Sequence, residues 1–133
     1  MKKILVAFDG GEPARRALDT AIELARKFDA TIAVVSVVPV HPGRSPIDPW
    51  DDTSTHAHEL LEARKILREA GFEAHLLEPA GDPAKTIERI VDDGGYDTVV
   101  IGSRGLNAID RMLQGSVSEH VATHAHATVV IAH

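Results

Sequence analysis

The sequence predicts an α/β fold: a single domain with an open, parallel five-stranded sheet and helices on both faces, a Rossmann-like arrangement. Three observations predict it. Short apolar runs rich in β-branched residues recur along the chain, these runs do not alternate with polar residues, and helical periodicities lie between them. Parallel strands covered on both faces read as continuous apolar runs, and strict alternation of strand and helix places the helices on both sides of one sheet. The 133 residues suit one core.

Ile4 to Phe8 is the first strand. Lys2 and Lys3 precede it, but an apolar stretch of five residues ended by Asp9 reads as a strand and not as a signal peptide. Pro13 suits a first helical turn, and Ala14, Ala17, Leu18, Ala21, Ile22 and Ala25 recur at the spacing of one helical face. Thr31 opens the second strand, Ile32 to Val38, which Ser36 interrupts. Pro39 to Asp52 holds four of the seven prolines and therefore reads as a long, stiffened loop. It carries the sole tryptophan, Trp50, as a loop anchor or as a lid over a ligand.

Leu60, Ala63, Leu67 and Ala70 mark a second helix that Gly71 closes. Glu73 to Leu77 is a weaker strand, suited to an edge. Asp82 caps a third helix, with Pro83 behind it and Ala84, Ile87, Ile90 and Val91 on its apolar face. Thr98 to Ile101 is the fourth strand, Val117, Val121 and Ala122 mark a fourth helix, and Thr128 to Ala132 is the closing strand. Between the fourth strand and fourth helix, Gly102 to Gly115 far exceeds the roughly 2 to 6 residues such a connection needs. An excess of that size points to function.

Composition removes several classes of chemistry. There is no cysteine, which excludes disulfide staples, thiolate catalysis, zinc fingers and iron–sulfur clusters. The net charge of −6, with eight histidines counted neutral, disfavours nucleic acid as a partner. No stretch approaches the roughly 18 apolar residues of a membrane span, so the expectation is a cytoplasmic protein with no membrane partner.

The second long loop and the start of the fourth helix read GSRGLNAIDRMLQGSVSEHV. Gly102 and Gly105 let backbone approach a ligand, and Gly115 and Ser116 open a helix whose free N–H groups favour an anion. A Walker loop is excluded, because no lysine follows Gly115, and the dinucleotide fingerprint is excluded by the glycine spacing. Ser116 to Glu119 also spells a helix capping box, so on its own the segment reads equally as structural or as anion-binding.

Gly102, two residues, Gly105, nine residues, Gly115 and Ser116 form the complete G-x2-G-x9-G-[ST] pattern, and here the chain resembles the ATP-binding branch of the universal stress protein family. The resemblance spans residues 1–133: KKILVAFDGGEPARRAL, VVSVVPV, GDPAKTI, YDTVVIGSRG and HATVVIAH stand in the family's order. It implies ATP, alone or with magnesium, as ligand. Asp9 would lie near the adenosine, Val37 would present backbone groups to the adenine, and Gly102 and Gly105 would line the ribose and α-phosphate. Gly115, Ser116, Val117 and Ser118 would hold the outer phosphates, with Arg104 beside them. Many relatives carry serine or threonine two positions after the aspartate, where Gly11 stands here. The resemblance also implies strand order 3-2-1-4-5 and a homodimer through Thr128 to Ala132, an apolar edge free of charge and proline. In that order winding reverses between the first and fourth strands, which end at Asp9 and Gly102, and ligands bind at such reversals.

Other groups say less. Arg104 and Arg111 flank the loop and either neutralise phosphate or sit in solvent. His120 and His124 are four apart, a spacing that suits zinc or nickel, but no carboxylate is tied to them by spacing and an amphipathic helix explains them; no metal site is expected. AFDGG resembles the first strand of haloacid-dehalogenase-like phosphatases, yet Gly11 replaces their second acid, and no nucleophilic triad order is present. The expectation is a regulatory adenine-nucleotide-binding protein with a role in stress response and no catalytic residues. The alternatives are a dimeric scaffold of the same fold without nucleotide, and a slow ATPase.

Overall fold

In the computed structural model, which describes residues 1–8, 10–39, 55–102 and 119–133, a parallel sheet is built around β1 (Lys3–Ala7). On one side of β1 lie β2 (Thr31–Val35) and then β4 (Ala74–Leu77); on the other lie β6 (Thr98–Gly102) and then β7 (Thr128–Ala132). All four pairings are parallel. Counting the five strands along the chain, this is the expected order 3-2-1-4-5, with the reversal between β1 and β6.

Alternation along each strand divides the core between the two faces. Ile4, Val6 and Phe8 of the β1 segment pack with Ile32 and Val34 against α1 (Glu12–Phe28) and α2 (Thr55–Glu69), whose contributions include Ala17, Leu18, Ala21, Ala63 and Leu67. Leu5, Ala33, Val35, Val99 and Ile101 face the other way, onto Ala84, Ile87 and Val91 of α3 (Pro83–Gly94) and onto Val121 of α4 (119–124). Two covered faces explain why the strands read as unbroken apolar runs. Among the described residues, no helix is long and apolar enough to cross a membrane.

The helices begin and end where local chemistry requires. Pro13 occupies the first turn of α1, Arg26 and Lys27 stand in its last turn, and Asp29 ends it in the left-handed region with its N–H on the Ala25 carbonyl. Asp82 caps α3 by accepting the Lys85 backbone N–H at 3.0 Å. The Phe72 N–H reaches back to the Leu67 carbonyl at 2.9 Å, closing α2 around Gly71.

Two expectations need correction. The stretch Ile32 to Val38 is not one strand: β2 stops at Val35, and β3 (Val38–Pro39) pairs instead with β5 (Ala80–Gly81) in a separate two-stranded sheet. β3 keeps against β5 the register that β2 holds against β4. The Ser36 N–H donates to Leu77 and the Val38 N–H to the Pro79 carbonyl, but residue 79 is proline, so its return bond to the Ser36 carbonyl cannot form. Pro39 thus ends a short strand instead of opening a loop, and 40–52, with Trp50, lies outside the described residues. In α4, Val121 is wholly buried as expected, whereas Ala122 is exposed, so the apolar stripe there is narrower than the sequence suggests; Val117 lies outside the described residues.

Candidate functional site

The winding reversal puts the carboxyl ends of β1 and β6 side by side. The first helix, α1, begins at Glu12, shortly after β1 ends at Ala7. Phe8 is buried and its N–H donates to the Val35 carbonyl at 2.9 Å, Gly10 takes a φ of +80°, and Gly11 serves as the N-cap of α1 without a side chain to contribute. The first turn of α1, whose N–H groups lack acceptors within the helix, therefore starts only a few residues beyond β1, beside the end of β6.

Gly102, the last residue of β6, shows how close that approach is. A Cβ built on it would lie 2.2 Å from the Pro13 carbonyl oxygen and 2.8 Å from the Pro13 Cβ. Its missing side chain is thus required by the protein's own backbone. This physical need for the first glycine of the motif is visible only in the fold.

Val37 lies where the second strand passes beyond β1. The neighbouring Ser36 and Val38 N–H groups both point to the β4 and β5 side. Backbone groups alternate along an extended segment, so the N–H and C=O of Val37 point the other way, toward the β1 side of the strand and beyond the last paired residues, Ala7 and Val35. Val37 and Gly102 are the two sequence-predicted site residues among those described, and they fall on either side of the end of β1. Asp9, Arg104, Gly105, Gly115, Ser116, Val117 and Ser118 lie outside the described residues.

One further group at this end is not evident in the sequence. Glu59 of α2 brings its carboxylate to Ser36, whose hydroxyl donates to Oε2 at 3.4 Å, and a Cβ at Gly10 would lie 2.7 Å from the Glu59 Cγ and 3.1 Å from Oε1. Its position beside Leu60 marks it only as part of an amphipathic helix, and packing alone carries it to the strand ends. A carboxylate with several hydrogen bonds stands at the opposite end of the sheet. Asp97 accepts the Lys2 and Lys3 backbone N–H groups at 2.7 and 3.1 Å and the Thr98 hydroxyl at 2.8 Å. What burial it has works to raise its pKa, but these hydrogen bonds and the nearby chain-terminal amine outweigh it and hold the carboxyl below its ordinary value. That group ties β1 to β6 and serves structure.

A family model described as the universal stress protein family matches residues 1–133. The chain belongs to the universal stress protein family. A universal stress protein of Methanocaldococcus jannaschii is 31% identical over 137 residues, covering 98% of this chain and 81% of its own. Among solved structures, the universal stress protein of Archaeoglobus fulgidus in complex with dAMP superposes with a TM-score of 0.76 at 27% identity, covering 100% of this chain and 98% of that one. A family member from Arabidopsis thaliana with AMP bound gives a TM-score of 0.76 at 25% identity, covering 99% of this chain and 91% of its own. This universal stress protein shares with them the parallel five-stranded sheet.

Proposed function

We propose that this universal stress protein binds an adenine nucleotide, ATP in the first instance, alone or with magnesium, and acts as a dimeric cytoplasmic regulator in stress response and not as an enzyme. The observation that carries the reading is the complete G-x2-G-x9-G-[ST] pattern running from Gly102 to Ser116, with its first glycine at the end of β6 against the start of α1. In this reading Val37 offers backbone groups to the adenine and Asp9 lies beside the adenosine. Gly102, Arg104 and Gly105 border the ribose and inner phosphate, and Gly115, Ser116, Val117 and Ser118 hold the outer phosphates through N–H and hydroxyl groups. The relatives solved with dAMP and with AMP support the same ligand class.

Mass spectrometry of small molecules released from the purified, denatured protein tests the ligand, and titration calorimetry with ATP tests the site. Gly115→Val puts a branched side chain where phosphate must meet backbone, and is expected to abolish binding in a folded protein. Undiminished affinity in that variant removes the site assignment.

A further inference from the structure

On the face of the sheet that α3 covers, Glu88, His120 and His124 come together. The His120 Nδ1 lies 2.7 Å from the Glu88 Oε1, and the His124 Nδ1 lies 2.9 Å from the His120 backbone carbonyl oxygen. Carboxylate and carbonyl oxygens only accept, so in the neutral rings both Nδ1 atoms carry the hydrogen and both Nε2 atoms keep a free lone pair. The two rings stack with centroids 4.1 Å apart and planes 20° from parallel. A ring nitrogen of each histidine and a carboxylate oxygen of Glu88 lie within 4.8 Å of one another.

We propose that His120 and His124 bind a divalent transition-metal ion of the zinc, nickel or copper class through their Nε2 atoms, with Glu88 orienting His120. Histidines four apart on a helix present both Nε2 atoms to one ion, and ligating histidines usually donate the other ring N–H to a carboxylate or backbone carbonyl. Both donations are already made here. Two imidazoles with a carboxylate behind them select borderline transition metals over magnesium or calcium, which prefer oxygen cages.

The frame is firm, and closing on an ion requires the His124 ring to turn out of its stack on His120. Val121, between the two histidines, is wholly buried against the sheet. One turn further along α3, Asp92 meets the His126 Nδ1 at 3.3 Å, a second histidine–carboxylate contact across the same seam. Nitrogens sharing one tetrahedral zinc are about 3.3 Å apart, so the exposed His124 must rotate about its side-chain bonds to close on the ion. The remaining coordination positions would be filled by water.

The test uses the full chain stripped of metal and nucleotide, so its result does not depend on the nucleotide reading. Zinc is titrated in competition with a chromophoric chelator. The wild-type protein is expected to take one equivalent, with His120→Ala and His124→Ala each weakening binding at least tenfold and His126→Ala leaving it unchanged. His124 is exposed, so its variant should keep the native circular dichroism. Glu88→Gln is expected to weaken zinc about tenfold to a hundredfold and to shift the visible d–d band of bound copper(II) while the stoichiometry stays at one. No zinc uptake at micromolar concentration, or unchanged affinity in both His120→Ala and His124→Ala, overturns the site. An unmoved copper band in Glu88→Gln overturns the role of Glu88.

Discussion

The Cβ position of Gly102 lies 2.2 Å from the carbonyl oxygen of Pro13, so the end of β6 and the first turn of α1 meet backbone to backbone. Gly102→Ala must push those two elements apart. Overpacking of this kind costs about 1 to 3 kcal/mol, and the displaced atoms belong to a helix start that cannot rotate away as a side chain would. Urea denaturation is expected to show a lower midpoint with an unchanged slope, and ATP calorimetry a weaker affinity. A variant as stable as wild type would mean that α1 shifts freely on the sheet.

Gly10 and Glu59 make a second close pair, of a different kind. Gly10 has a φ of +80°, and its absent Cβ would meet the Glu59 Cγ at 2.7 Å. Gly10→Ala therefore carries two costs: left-handed backbone strain of roughly 1 to 2 kcal/mol and displacement of a flexible side chain. A double-mutant cycle separates them. In a Glu59→Ala background the clash is gone and the strain remains, so Gly10→Ala is expected to destabilise less there than in wild type. Equal effects in both backgrounds would show that Glu59 yields at no cost.

These two contacts show where the sequence stops being legible. Ile4, Leu5 and Val6 announce a buried strand because both faces are covered, and Ala14 through Ala25 announce α1 through their period, so sheet and helices follow from local pattern. The glycine motif is equally visible, since its spacing is local. The break in the second strand is not, because it depends on Pro79 lying opposite Val37, a pairing set by tertiary register. Glu59 beside Gly10, and Glu88 beside His120, join residues on separate elements. Neither pair leaves a trace in spacing, which is why spacing alone ties no carboxylate to the histidines.

Asp97 makes stability depend on pH, with a definite sign. Its carboxyl is held below its ordinary value in the folded protein, so the folded state favours the ionised form. The stabilisation is present above the unfolded pKa of about 4 and is lost as pH falls through the lower folded value. Asp97→Ala removes acceptors for the Lys2 and Lys3 N–H groups. At neutral pH it is expected to cost on the order of 1 kcal/mol, the low end for a charged acceptor because the carboxylate is solvent-exposed. Urea midpoints of wild type and variant, well separated at pH 7, should converge as the pH drops below about 4. A constant gap across that range would show that the carboxylate charge plays no part.

The outer edge of β7, unpaired among the described residues, is where the proposed dimer stands or falls. The Thr128 N–H donates to the Asp97 carbonyl at 3.0 Å, so it faces β6. Backbone groups alternate along the strand, which turns the Val130 and Ala132 N–H groups toward β6 as well and leaves those of Val129 and Ile131 facing away from β6, toward the outer edge. Val130→Pro would therefore break the ladder inside the protomer and report on folding. Ile131→Pro removes an outward N–H instead, a change an edge strand tolerates in a monomer but not when a second copy pairs there. In the proposed dimer two β7 strands pair antiparallel about a two-fold axis, closing both edges at once. Sedimentation at micromolar concentration is expected to show a wild-type dimer, a folded Ile131→Pro monomer, and for Val130→Pro a loss of thermal stability whatever the oligomeric state. A wild-type monomer under those conditions refutes the dimer, and a dimer that survives Ile131→Pro places its interface somewhere other than β7.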